Sequence, residues 1–336
     1  MGVESHARSG RGRTVTDSPP LSVQVSGREP AKSTSAIAAG VRTVPPILVA
    51  FDNAGLARPQ YGLQAADMVY EYLSEYGISR FTLVYFNQPA ALIGPVRSCR
   101  MINTYLIEEL QGIQMCSGAS DGTLHYLWGS PPGTLPPLRV MINDYDTGDH
   151  FYRVSFKPAP HNVFTEAGRA LTLRTAFPVP GGPYTVDPPH SDGAAGAASP
   201  EAPSVPLHNV AYYYDATSQV YRPSDSGAPR VDGQNGGNQL AVKNVVLMHV
   251  PFHPAGWVED VNGGAQSIWY DMNGSGPAEV YSDGRIVHAT WHQGEQGAAY
   301  YGNTTQPVYF TDESGNLLRL NTGLTWIHVL GTGQTS

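Results

Sequence analysis

The chain has 336 residues, a net charge of −8 and only 14% charged residues, a balance that argues against non-specific binding to nucleic acid or to an anionic membrane surface. Its 37 glycines and 28 prolines favour turns and short strands over long helices. No run of ~18 apolar residues occurs, so no transmembrane segment is expected, and at ~100–200 residues per domain the length predicts two domains.

Residues 1–44 read as a disordered tail. Its first residues, Met1 to Arg13, are polar and arginine-rich with no apolar segment after them, so no signal peptide is visible. Pro46–Phe51 is a buried strand, ended by Asp52-Asn53-Ala54-Gly55 as a turn. Residues 68–73 and 80–86 form a hairpin around Glu75-Tyr76-Gly77. With the turn at 75–78, Leu73 opposes Arg80 and Glu71 opposes Thr82, which puts Glu71, Leu73, Arg80 and Thr82 on one face. Ser98 is read as the N-cap of a helix running from Met101 to Gln111. Ile113–Cys116 is the next strand and Gly122–Trp128 a short helix. Thr165 is expected to cap a helix from Glu166 to Thr175. Strands and helices alternate through 45–177, the signature of a mixed α/β domain. Residues 178–207 are Pro, Gly, Ala and Ser-rich and read as a linker or flexible insertion. From 208 to 332 the pattern is strands only, with Asp283-Gly284 as a hairpin turn. The expected fold class is therefore α+β: a mixed α/β N-terminal domain, then a mostly antiparallel β domain, barrel or sandwich. The two cysteines, Cys99 and Cys116, form no Cys-x-x-Cys pair, which excludes a cysteine zinc site. One disulfide and two buried thiols are both open readings.

Chemistry concentrates in Gly94-Pro95-Val96-Arg97-Ser98-Cys99-Arg100. Arginines beside a helix start, where backbone N–H groups are unpaired, suit a carboxylate or phosphate. Arg58 and Arg80 are expected to approach the same place. The alternative is internal pairing, Arg80 with Glu71 and Arg97 with Glu75 or Asp67. Asp67, Glu71 and Glu75 form a carboxylate series in which Glu71 or Glu75 would serve as acid or base. His161, in Pro160-His161-Asn162, is a candidate proton shuttle with Asn162 beside it. Ser98 as a nucleophile lacks a Gly-x-Ser-x-Gly elbow. His288 with His292, and His249 with His253, have no third ligand, so no metal is expected. No glycine-rich nucleotide motif occurs, so no cofactor is expected.

At these residues the chain resembles the YerB-like bacterial lipoprotein family, a family of unknown function. The matching pieces are residues 57–63 (ARPQYGL), 66–71 (ADMVYE), 75–81 (EYGISRF), 93–100 and 159–162 (APHN), with Thr290-Trp291 and residues 323–327 (GLTWI) as closing strands. The resemblance spans residues 45–330. It implies an extracytoplasmic, membrane-tethered location and a two-part architecture, and no reaction. The chain departs from the family in having no lipobox cysteine, His292 where a lysine commonly follows the tryptophan, and an expanded linker.

The expected function is cell-envelope binding of an anionic small molecule or envelope polymer at Arg58, Arg80, Arg97 and Arg100, with Asp67, Ser98 and Asn162 lining the site. A glycan or phosphodiester hydrolase using Glu71, Glu75 and His161, and a scaffold that binds a protein partner through its β domain, are the alternatives.

Overall fold

The computed structural model describes residues 41–42, 44–128, 138–146, 148–177, 184–185, 199–207, 209–293 and 308–332. The expected tail at 1–44 and linker at 178–207 lie mostly outside these residues. In chain order the first half carries β1 (Val41–Arg42), β2 (Ile47–Phe51), β3 (Met68–Leu73), β4 (Ser79–Tyr85), α1 (Met101–Glu109), β5 (Ile113–Cys116), α2 (Asp121–Leu127), β6 (Val140–Ile142), β7 (Tyr152–Arg153), β8 (Val163–Phe164) and α3 (Ala167–Ala176). Strands then dominate: β9 (Tyr184–Thr185), β10 (Ser204–Leu207), β11 (Val210–Asp215), β12 (Val220–Asp225), β13 (Ala228–Pro229), β14 (Asn244–Val250), β15 (Phe252–Asp260), β16 (Ala265–Tyr270), β17 (Gly274–Ser282), β18 (Arg285–Gln293), β19 (Tyr309–Asp312), β20 (Leu317–Leu318) and β21 (Thr325–Gly331).

The fold class is the expected one, with a mixed first half and a mainly antiparallel second. The halves nevertheless share one sheet of eleven strands, in the order β20-β19-β18-β17-β14-β21-β3-β4-β2-β5-β6. The closing strand β21 runs parallel to both β14 and β3, so Ile327 lies beside Val246 on one side and Tyr70 on the other. β2, β5 and β6 form a second parallel group.

Both faces are covered, which is why β2 (ILVAF) is apolar throughout. On one face Val69, Phe81, Leu83 and Trp326 pack with Val205, Tyr212 and Tyr221 of the four-stranded β10–β13 sheet. On the other, Leu48, Tyr70, Tyr72 and Ile327 pack against Ile102, Tyr105 and Leu106 of α1 and Tyr270 of β16. The second-half strands are thus layered rather than closed into a barrel.

The β3–β4 register differs by one residue from the expectation: Tyr72 opposes Arg80 and Glu71 opposes Phe81. The turn is one residue shorter, with Ser74 N–H bonded to Ile78 O and Tyr76 left-handed at φ 60°. A one-residue slip exchanges faces, so Glu71 and Arg80 point to opposite sides of the sheet. Ser98 is not a cap either. α1 opens with Arg100 as its N-cap, whose N–H donates to Asn103 Oδ1 at 2.7 Å. Cys99 is held away from the helix by a disulfide to Cys116 and by its N–H bond to Gly118 O. Thr165 likewise caps nothing; its hydroxyl donates to His150 O, and Glu166 is the N-cap of α3.

Candidate functional site

The parallel strands β2, β5 and β6 end on one edge, where Asp52, Ser117 and Asn143 follow them. The carboxyl ends of parallel strands in an open sheet are where ligand crevices form. The motif segment is laid along this edge. Tyr61 N–H bonds Gly94 O, Asp52 N–H bonds Pro95 O, Val96 N–H bonds Val163 O and Arg97 N–H bonds Ala50 O. Gly94 has no alternative, because a Cβ there would sit 2.7 Å from the Phe164 ring.

This path delivers Arg97 onto Asp52. Arg97 Nε lies 3.1 Å from Asp52 Oδ2, an ion pair whose angle leaves Nε without a formed hydrogen bond. His161 Nδ1 reaches the same oxygen at 2.7 Å. Ala54 N–H donates to Oδ1 at 3.0 Å, and Arg80 Nη1 stands 3.9 Å away. Asp52 is only 2% exposed. Burial pushes its pKa up, but the Ala54 N–H, Arg80, His161 and Arg97 outweigh burial and hold it below the usual value. The carboxylate is therefore ionised, and it fixes the imidazole so that Nε2 faces away from it.

Several cationic donors remain unused. The Arg97 side chain is 28% exposed, and its two terminal nitrogens have no partner among the described residues. Buried Arg80 Nη1 has no hydrogen bond. Burial, then the neighbouring Arg100 and Arg97 charges, bring the Arg80 pKa down to about 10 despite Asp52 and Glu75, which leaves it charged at neutral pH. Lys157, buried with its ammonium 5.8 Å from the Tyr61 ring centroid, also feels the Asp52 charge. Arg97, Arg80 and Lys157 thus face one carboxylate.

The other expected residues divide around this centre. Arg100 grips Glu75 with two bonds of 2.6 and 2.7 Å and approaches Glu259 at 3.5 Å. Glu259 in turn accepts from Ser120 and Thr123. Ser74 also donates to Glu75, whose pKa burial raises and the Arg100 bonds lower further than that. Glu71 lies across the sheet, accepting from Ser79, Trp326 and Arg230 at 2.7, 2.9 and 3.0 Å. Burial would raise its pKa; Arg230 and His328 dominate and bring it to about 2. Neither carboxylate has the open approach an acid–base group needs. A closed circuit joins the halves here: Arg58 bonds Asn53 and pairs with Asp225, Arg230 bonds Asp225 and Glu71, and Ser79 links Glu71 to Asn53. Arg58 therefore flanks the site as part of a brace.

Asp67 lies at the far end of β3, accepting from Phe86 N–H, and does not join the cluster. Asn162 accepts from Arg153 at 2.6 Å and steadies the loop that carries His161. Ser98 Oγ lies beside Gly118 on the strand-end edge. Asp52, Lys157 and Arg230 are the central groups that sequence reasoning missed. Asp52 was legible as the first polar residue after a buried strand, the position where parallel sheets place ligands. Arg230 meets Glu71, and Glu259 meets Ser120 and Thr123, only through long-range packing. Among the described residues no group of three His, Cys, Asp or Glu side chains could hold a metal ion. Chemically, the arrangement can bind an anion and present an oriented imidazole beside it.

Two segments match the family described as protein of unknown function DUF3048: its N-terminal domain at residues 34–176 and its C-terminal domain at 204–327. The chain is 25% identical over 303 residues to the Bacillus subtilis protein named "Putative lipoprotein YerB", covering 85% of this chain and 81% of that one. The crystal structure of Bacillus subtilis YerB shares the fold, with a TM-score of 0.66 at 24% identity, over 85% of this chain and 91% of that one.

Proposed function

Starting from the chain's membership of the DUF3048 family, whose function is unknown, we propose that it binds an anionic ligand at the strand-end cluster of Arg97, Arg80 and Lys157. The observation that carries this reading is the Arg97 guanidinium. One edge faces Asp52, and the outer edge keeps a planar fork of donors open, the geometry that matches phosphate or carboxylate. Asp52 keeps the cationic groups from repelling one another, and Glu75 and Arg100 brace the floor. The acid and base roles weighed for Glu71 and Glu75 are not part of this reading, because arginines engage both.

No helix among the described residues is long and apolar enough to cross a membrane. The relative named as a lipoprotein supports an envelope location for this chain, with an envelope phosphate or carboxylate polymer as the natural source of the ligand. Calorimetry and thermal unfolding with inorganic phosphate, sulfate and galacturonate test the reading. At least one anion binds the wild type, and Arg97→Ala weakens it by roughly 10-fold to 100-fold, the loss of about 1.5–3 kcal/mol per charge-assisted contact. Equal behaviour of wild type and Arg97→Ala toward every anion rejects the site.

A further inference from the structure

We infer that His161 is a general base, oriented by Asp52, and that the ligand at this cluster is a phosphodiester that the protein hydrolyses. The inference rests on the anion-binding reading above and adds chemistry to it. Three features support it. The Nδ1 to Asp52 bond of 2.7 Å fixes the ring's orientation and tautomer, as a buried carboxylate does for a catalytic imidazole. The backbone N–H of His161 is itself held by Pro158 O at 2.9 Å, so the ring is anchored at both its stem and one nitrogen. Nε2 has no hydrogen-bond partner among the described residues, while the side chain stays 12% exposed.

The charge count selects the substrate class. Arg97, Arg80, Lys157 and Arg100 give four positive charges against the three negative charges of Asp52, Glu75 and Glu259, a surplus of one. A phosphodiester carries one negative charge in the ground state and gains a second as water adds to phosphorus. A site with surplus positive charge stabilises that second charge more than the first. In the step, Nε2 of His161 removes a proton from water as its oxygen bonds to phosphorus. The bond from phosphorus to one alkoxy oxygen breaks, and that oxygen takes a proton from solvent. The imidazolium then returns its proton to solvent. The products are a phosphomonoester and an alcohol, with no redox change. Asp52 is a positioning residue, since it acts through the imidazole.

The test uses the full chain with bis(p-nitrophenyl) phosphate, and with p-nitrophenyl acetate as a neutral ester. Release of p-nitrophenolate from the diester is expected. His161→Ala lowers the rate at least ~100-fold, and added imidazole restores at least a tenfold gain, which a structural role for the ring would not produce. Asp52→Asn lowers the rate and changes its pH profile. Diester left intact, hydrolysis of the acetate alone, or no rescue by imidazole each overturns the proposal. Binding of inorganic phosphate to the wild type is measured in parallel. Binding without turnover removes the hydrolytic role and leaves the binding site standing, whereas no turnover together with no binding of phosphate, sulfate or galacturonate removes both.

Discussion

Glu71 is 6% exposed and accepts from Ser79, Trp326 and Arg230. Removing this carboxylate leaves buried Arg230 with Asp225 as its remaining counter-charge. Glu71→Gln is therefore expected to destabilise the fold by roughly 3–5 kcal/mol, measured by denaturant unfolding at neutral pH. The sign with pH follows from the depressed value of about 2 against 4.5. The stabilisation is complete above about pH 4.5 and disappears as pH falls toward 2, so the gap between wild type and variant narrows on acidification. A gap independent of pH contradicts the pairing. Glu71 shows what residue type alone conveys. A carboxylate at a strand position was visible in the sequence, but its role depended on which face it took. One residue of register decided that face, through a turn whose length local sequence did not specify.

At the scale of elements, the Gly94–Arg97 segment is held by backbone bonds to Ala50, Asp52, Tyr61, Ser117 and Val163. Side-chain space is missing at its first residue. Gly94→Ala forces a Cβ into the Phe164 ring, and overpacking of this kind costs about 1–3 kcal/mol. Because the segment also aims Arg97, the variant is expected to lose anion affinity in calorimetry as well as melting temperature; unchanged affinity would separate the segment from the site. The motif's concentration of arginines was legible from its residue types alone. Most strands and all three helices were legible too, since apolar period and turn residues are local signals. The helix cap was not. Ser98 has the right chemistry for a cap, but the Cys99–Cys116 disulfide and the Cys99 N–H bond to Gly118 determine where the chain turns.

The whole molecule depends on β21, which sits between β14 and β3 and carries Trp326 onto Glu71. Without the second half, β3 becomes a bare apolar edge and Glu71 loses Arg230 and Trp326. Residues 34–203 expressed alone are therefore expected to be unfolded or aggregated, with poor dispersion in NMR spectra; a folded fragment would contradict the shared sheet. A second long-range contact sets a pH response. Glu109, at the end of α1 and 1% exposed, bonds Gln293 and Val308 N–H. Burial pushes its pKa from 4.5 to about 8, against those bonds. A raised acid stabilises fully below its unfolded value of 4.5 and loses that contribution as pH rises through 8. Glu109→Gln should thus remove a fall in stability of about 1 kcal/mol per pH unit between pH 5 and 7.5, read from unfolding at each pH; parallel profiles would dismiss the neutral carboxyl.

By itself the sequence determined the α+β class, the strand-rich second half and the arginine motif, because apolar alternation, turn residues and local charge are written in neighbouring positions. Only the tertiary structure decided that both halves share one sheet, that Arg230 closes on Glu71 from 159 positions away, and that Asp52 gathers Arg97, Arg80 and His161. Those outcomes follow from strand pairing and burial between distant segments, where desolvation requires each charge to find a partner, and no local pattern names it.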